Sequence, residues 1–166
     1  MNYDYQLRYW NEMGELKTNI LYLGMYLEET QKIDRIIKMF LAVASNGSIA
    51  AWVIWKDFPM VWGGIIAASQ FLNAVKEYLP YQKRAKSISG LHIDLQDSFL
   101  YAEKIWFSIA EGEYTEKQIN EAWIELKKRK NNFVKKHLGE DVLPENKKLL
   151  GKADEQKVEY FKVFYK

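Results

Sequence analysis

The two histidines and the acidic residues near one of them are the first candidates for chemistry in this chain of 166 residues. His92, Asp94 and Asp97 fall within the sequence HIDLQD, and imidazole with carboxylates can form a metal or acid–base site. On a helix, however, residues two apart point to different faces, and only residues three or four apart meet. His137 belongs to a separate predicted helix. We therefore expect a solvated helix face here, with no metal site and no catalytic residue.

Other catalytic patterns are absent from the sequence. The chain contains no cysteine, which excludes thiol catalysis and zinc–thiolate sites. It has no glycine-rich phosphate loop after a strand pattern, no nucleophile elbow and no zincin pattern. The formal net charge of +2 argues against a general nucleic-acid binder. We predict that the protein is not an enzyme and uses no cofactor.

A basic segment, KKRKNNFVKKH, is the second candidate site. It places six cations within ten residues: Lys127, Lys128, Arg129, Lys130, Lys135 and Lys136. Three interpretations remain open for it. The segment is a solvated helix face, or it binds phosphates of the inner leaflet of a membrane. Alternatively, it binds a small anionic ligand such as a nucleotide or oligonucleotide, whose bases would stack on Trp123 or Phe133.

A stripe of polar and small residues is the third candidate site, and it suggests a pore. At helical steps of seven, three and four residues, the following share one face: Gly63, Gln70, Asn73 and Glu77. Polar side chains at membrane depth rarely face lipid, because an unsatisfied group costs several kcal/mol there. Either they bond across to polar residues of the preceding helix (Ser45, Asn46 or Ser48), or they line a water-filled path between protomers. The second interpretation requires a homo-oligomer, since one hairpin cannot enclose a pore.

The element that positions this stripe is residues 36–79. Within it, residues 39–55 and 58–75 carry no charge over 17 and 18 residues. Each run, slightly extended, makes a helix of about 20 residues that spans roughly 30 Å, the thickness of a bilayer core. A soluble amphipathic helix would show charged residues on its wet face. We therefore predict a transmembrane helical hairpin in contact with membrane lipid.

The residues that flank this hairpin indicate its orientation. Only one basic residue, Lys56, lies in the connector of the hairpin. Seven cluster at its two open ends: Lys32, Arg35, Lys38, Lys76, Lys83, Arg84 and Lys86. We therefore predict a multi-pass protein of the inner (plasma) membrane. By the positive-inside rule, both of its termini lie in the cytoplasm. Aromatic residues gather at both predicted interfaces: Trp52, Trp55, Phe58 and Trp62 at one, Tyr78 and Tyr81 at the other.

The rest of the chain is predicted to be helical, which makes the fold class all-α. We treat residues 1–166 as one domain, with an N-terminal cytoplasmic helix at 1–35, the hairpin at 36–79 and a cytoplasmic helical region at 80–166. The N- and C-terminal helices are expected to form a cytoplasmic bundle. Gly112 and Gly139 mark helix ends, and Thr115 to Gln118 form a capping-box pattern that begins a helix.

Taken together, these patterns resemble the SLATT-domain family, two-transmembrane effectors found beside nucleotide-signalling modules in prokaryotic conflict systems. The resemblance covers nearly the whole chain: a helical N-terminus, the hairpin, and a closing segment DVLPENKKLLGKADEQKVEYFKVFYK. It implies an oligomeric pore-forming or ion-channel effector of antiphage defence, gated by a partner protein or by a nucleotide that a partner nucleotidyltransferase makes. The alternatives are a non-conducting membrane scaffold for helical interactions and a soluble all-helical bundle.

Overall fold

The structure, a computed structural model, describes residues 3–46, 59–75, 81–139 and 143–165. Over these ranges the regular structure is helical, in five elements: α1 (Tyr3–Asn46), α2 (Pro59–Val75), α3 (Tyr81–Ala110), α4 (Glu116–Leu138) and α5 (Lys147–Phe164). The all-α prediction is confirmed for them. In the same ranges, no helix combines the length and the apolar character that crossing a bilayer requires.

The predicted transmembrane hairpin stays a prediction. Residues 47–58, which include the end of its first helix and the short connector at Lys56 and Asp57, lie outside the described residues, as do residues 76–80 after α2 and the side chain of Trp62. Glu77 of the polar stripe is among them.

The chain divides into two compact units. The bundle unit comprises Met1–Leu27 with Lys86–Lys166, and the second unit comprises Glu28–Ala85. The N-terminal part of the chain therefore packs with its C-terminal helices, as we expected of the bundle. The borders at 28 and 85 differ from the predicted hairpin borders at 36 and 79.

The core of the bundle unit is built on the first half of α1. Its buried side chains recur at steps of four, three, four and three residues: Tyr9, Met13, Leu16, Ile20 and Leu23. Such spacing places them on one helix face. On α3 the buried apolar residues are Ile88, Leu91, Leu95, Phe99, Ala102 and Ile109. Full burial of a large apolar side chain stabilises the fold by about 1.5–3 kcal/mol, so these residues of α1 and α3 contribute a large share of the stability of the bundle unit.

Helix α1 is longer than the sequence pattern predicted. We expected a helix that ended near residue 35 and a separate hairpin helix after it, whereas α1 continues to Asn46. Neither proline nor glycine occurs between Gly24 and Gly47, so nothing in the sequence breaks the helix. Ion pairs four residues apart support the exposed middle of α1, with Glu28 to Lys32 at 2.8 Å and Asp34 to Lys38 at 2.6 Å.

The predicted helix boundaries around residues 110–118 and 139 are confirmed. Gly112 has φ 77°, and the amides of Gly112 and Glu113 donate to the carbonyls of Ile109 and Ser108, which ends α3 in a Schellman motif. Thr115 caps α4 in a capping box with Gln118. Gly139, with φ 59°, follows the end of α4.

Helix α5 packs differently from its predicted apolar face. The sequence pattern placed Ala153, Val158, Phe161 and Phe164 inside. Leu149 and Ala153 are buried and Phe161 packs against the core, but Val158 and Phe164 are exposed. Instead, Tyr160 packs against the core, and its hydroxyl donates to the carboxylate of Glu103 on α3.

Replacing Thr115 with alanine should destabilise the bundle unit. The Thr115 hydroxyl accepts from the amide of Gln118 at 3.4 Å, and Gln118 Oε1 accepts from the amide of Thr115 at 2.8 Å. Loss of an N-cap of this kind costs about 1 kcal/mol. Urea unfolding followed by circular dichroism measures the change. Thr115→Ser keeps the hydroxyl and should stay close to wild type, and equal stability of all three proteins would contradict the assignment.

Candidate functional site

The predicted pore stripe lies on the exposed side of α2. Gly63, Gln70 and Asn73 are all exposed, and a Cβ added to Gly63 would meet no atom within 4 Å. Ile65 and Leu72, on the opposite side of the helix, are half-buried. Helix α2 therefore turns an apolar face inward within the second unit and its polar stripe outward.

The polar groups of α2 differ in how they are satisfied. The Ser69 hydroxyl donates to the carbonyl of Ile66 at 2.8 Å, so its hydrogen bond stays within the helix. Gln70 and Asn73 form no side-chain hydrogen bond among the described residues. The side chains predicted as their partners on the preceding helix, those of Ser45, Asn46 and Ser48, lie outside the described ones, so both predicted alternatives for the stripe stay predictions.

Large apolar side chains are also exposed throughout the second unit. On the last part of α1 they are Ile33, Ile36, Met39 and Val43. On α2 they are Met60, Val61, Ile66 and Phe71, with Met60 91% exposed. Isolated apolar side chains are common on protein surfaces, but this many on two helices is typical of a surface that contacts another protein or a membrane.

Some cations of the basic segment of α4 form ion pairs with carboxylates of the same chain. Lys130 forms a hydrogen-bonded ion pair with Glu12 of α1, and the exposed fractions of these side chains are only 16% and 6%. Lys127 Nζ lies 3.9 Å from the other oxygen of Glu12, and Glu15 lies 3.5 Å from Lys130. These lysines fix α4 against α1.

The remaining cations of the segment divide into paired and unpaired ones. Arg129 pairs with Glu125 at 3.1 Å, and Lys136 pairs with Asp94 of α3 at 2.9 Å. Lys128 and Lys135 are exposed and form no ion pair among the described residues. The predicted anion-binding or lipid-binding site stays a prediction, and these two lysines are its most available members.

The aromatic residues predicted to stack on a nucleotide already contact cations of this chain. Lys127 Nζ lies 4.7 Å from the ring centroid of Trp123, and Lys136 Nζ lies 5.8 Å from that of Phe133. Both rings also pack against the core. A base that stacked on the lysine-bearing face of either ring would have to displace that lysine.

The expectation of a solvated face around His92, Asp94 and Asp97 is wrong for two of the three residues. Only Asp97 is exposed. His92 is half-buried beside Gly24, where an added Cβ would lie 3.3 Å from its Nε2, and burial lowers the pKa of this imidazole. Asp94 reaches across to α4. The sequence argument considered only the neighbours of Asp94 on its own helix, and it missed the partners of Asp94 on α4.

The partners of Asp94 are His137 and Lys136. His137 Nε2 lies 2.7 Å from the carboxylate, and because a carboxylate only accepts, this nitrogen carries the proton. Gly90 makes room for the ring, since a Cβ there would lie 2.6 Å from His137 Cε1. The hydrogen bond from His137, and next that from Lys136, lower the pKa of Asp94. The contact orients α4 on α3, and the described residues include no cluster of three side chains suited to a metal ion.

Comparisons with known proteins add no relative. No family model, no curated protein and no solved structure matches this chain.

The two neighbouring lysines of the basic segment should differ sharply in their importance for stability. Lys130→Met leaves the carboxylate of Glu12 buried with only the more distant Lys127, and removing one partner of a buried pair costs about 3–5 kcal/mol. Lys128→Met changes an exposed side chain and should stay within about 0.5 kcal/mol of wild type. The free energy of unfolding in urea measures both. Similar losses in the two variants would contradict the structural role of Lys130.

The Asp94 contact should contribute stability that depends on pH. Its pKa is lowered in the folded protein from the ordinary value of 3.8, so the contribution is present above that value and disappears as pH falls through the folded pKa. Because the group is partly exposed, the contribution is about 0.5–1 kcal/mol. Asp94→Asn should be less stable than wild type at pH 7, and the difference should vanish at low pH. A difference that is constant with pH would contradict this assignment.

Proposed function

We propose that the protein is an oligomeric pore-forming or ion-channel effector, whose hairpin at 36–79 inserts into the inner membrane. The single observation that carries the proposal is the outward position of Gly63, Gln70 and Asn73 on α2, beside exposed apolar residues. The helices of the bundle unit form the cytoplasmic body, and both termini lie on that side.

The chemistry of the stripe explains why the proposal includes oligomerisation. Two primary amides present four N–H donors and two carbonyl acceptors. In lipid these groups would lack partners, and each unsatisfied group would cost several kcal/mol. Neighbouring copies of the chain, or water held between them, supply the missing partners. The exposed apolar residues of α1 and α2 then contact lipid or the next copy.

The role in antiphage defence, and gating by a nucleotide or a partner protein, come from the resemblance to the SLATT-domain family. That resemblance rests on the residue patterns alone. A gating signal would act on the bundle unit by binding its closed and open states with different affinities. For an anionic signal that binds the basic segment of α4, Lys128 and Lys135 are the cations of that segment that need not first give up a described ion pair.

Ion flux through purified protein in liposomes tests the proposal. Wild type should conduct, and the double variant Gln70→Leu with Asn73→Leu should reduce flux by at least about tenfold, because an apolar constriction excludes water and ions. Phe71→Leu is the matched control, since it alters the adjacent exposed residue but keeps it apolar. Resistance to extraction by alkaline carbonate shows that each variant is inserted.

Three other outcomes would each have a definite meaning. Normal flux in the double variant would remove Gln70 and Asn73 from the pore lining. Wild-type protein that inserts and oligomerises without conducting would replace the proposal by that of a membrane scaffold. Release of the wild type by carbonate would favour the helical bundle without a membrane anchor.

A further inference from the structure

An aromatic groove lies between the C-terminal halves of α3 and α5 in the bundle unit. Its volume is about 540 Å³, within the usual range for small-ligand sites. It is lined by Ala110 and by six larger residues: Glu103, Trp106, Phe107, Tyr160, Phe164 and Tyr165. Phe107 and Phe164 are each 66% exposed, so aromatic faces are open to solvent at its edge.

Glu103 is the carboxylate of this groove, and its two oxygens differ. Oε1 accepts hydrogen bonds from the hydroxyls of Tyr160 at 2.6 Å and Tyr165 at 2.7 Å. Burial, and then this hydrogen bond, raise the pKa of Tyr160 to about 12, so its phenol remains a donor at neutral pH. Oε2 accepts no hydrogen bond, and no cation lies within ion-pair distance of Glu103 in the described part of the chain; Lys17 interacts with its charge at longer range. The groove therefore contains an anionic oxygen without a hydrogen-bond donor.

The ends of two helices add to this negative potential. Ala110 is the last residue of α3, and Phe164 is the last residue of α5, and both line the groove. A helix carries roughly half a negative charge at its C-terminus, where cations are favoured. The last turn of α3 contains no basic residue, and Lys162 in the last turn of α5 lines a different groove.

Tyr160, one of the groove rings, already contacts a cation of the chain. Lys17 Nζ lies 3.5 Å from the ring centroid of Tyr160 and 4.6 Å from that of Phe99. Lys17 does not line the groove. The ring faces of Trp106, Phe107 and Phe164 have no such cation among the described residues.

We propose that this groove binds an alkylated ammonium group, held by the aromatic rings with Glu103 as its counter-ion. Aromatic faces attract cations through their quadrupole, and the attraction is largest when the cation is weakly hydrated. A guanidinium would bring five N–H donors to a groove whose carboxylate has one oxygen free, which would leave donors unsatisfied. A trimethylammonium group brings none.

Titration with tetramethylammonium chloride tests the proposal, with sodium chloride at equal ionic strength as the reference. The full chain is kept in a maltoside detergent, which carries no cation. The indole N–H resonance of Trp106, identified with Trp106→Phe, reports binding by NMR. A saturable shift is expected, with affinity at least about tenfold weaker for guanidinium. Absence of a saturable shift, or equal affinity for guanidinium, would overturn the proposal.

Matched variants show whether the groove itself is responsible. Glu103→Gln keeps an oxygen for the two tyrosine hydroxyls but removes the charge, and it should weaken binding at least about tenfold. Phe107→Ala removes one exposed ring and should weaken binding about threefold. Leu100→Ala, one heptad earlier on α3 and 64% exposed, lies outside the groove and should bind as wild type. Wild-type affinity in Glu103→Gln would refute the assignment.

Two further comparisons identify the source of the cation. Choline carries the trimethylammonium group on a small molecule, and an acetylated trimethyllysine amide carries it on an amino-acid side chain. The compound that binds with the higher affinity indicates the source of the cation. Unmethylated acetyl-lysine amide should bind more weakly than its trimethylated form. Lys166 follows Tyr165 in the sequence. If tetramethylammonium bound the Lys166→Gln variant but not the wild type, the groove would be the binding site of the chain's own Lys166. The proposal of an external ligand would then fail.

Discussion

The buried stripe of α1 is the constraint on which the bundle unit depends. Tyr9, Met13, Leu16, Ile20 and Leu23 form one continuous apolar face, and each of the other helices in this unit is attached to the same helix by a polar contact. The hydroxyl of Tyr9 donates to the carbonyl of Ala102 on α3 at 3.2 Å, and that of Thr18 donates to Asp154 on α5 at 3.0 Å. Glu12 pairs with α4. Apolar burial supplies the stability, whereas these contacts select one rotation of each helix, because a buried polar group without its partner is costly.

The charges of the bundle unit follow from this arrangement. Glu12 is a carboxylate at 6% exposure on the core side of α1, and it would be strongly destabilising without a cation. The lysines of α4 that pair with Glu12 cannot be distinguished in the sequence from their unpaired neighbours. A basic run can therefore be part structure and part available surface, and only the positions of the acids on other helices separate the two.

The same distinction decides how much of the structure could be predicted from the sequence. Local signals were sufficient for the ends of α3 and α4, since Gly112, Gly139 and Thr115 act within a few residues of their own position. The spacing of apolar residues in the sequence also predicts the core face of α1 at Met13, Leu16, Ile20 and Leu23 and that of α3 at Leu91, Leu95 and Phe99, and all seven are buried. It could not identify Glu12 with Lys130, Asp94 with His137, or Glu103 with two tyrosines, because these residues are 118, 43 and at least 57 positions apart. Periodicity shows which face of a helix is apolar, but not which helix lies opposite, and this is also why Phe164 was wrongly placed in the core.

The two units satisfy their polar groups in different ways, and this difference bears on their surroundings. In the bundle unit, no buried side-chain polar atom of the described residues lacks a hydrogen-bond partner. In the second unit, Ser69 is satisfied within α2, while the amides of Gln70 and Asn73 point outward among apolar residues. An apolar solvent would suit Met60 and Phe71 but not these amides, and water alone would suit the amides but not the apolar residues. A surface of this composition is satisfied when its polar and apolar residues meet different surroundings, as they would in the assembly that we propose.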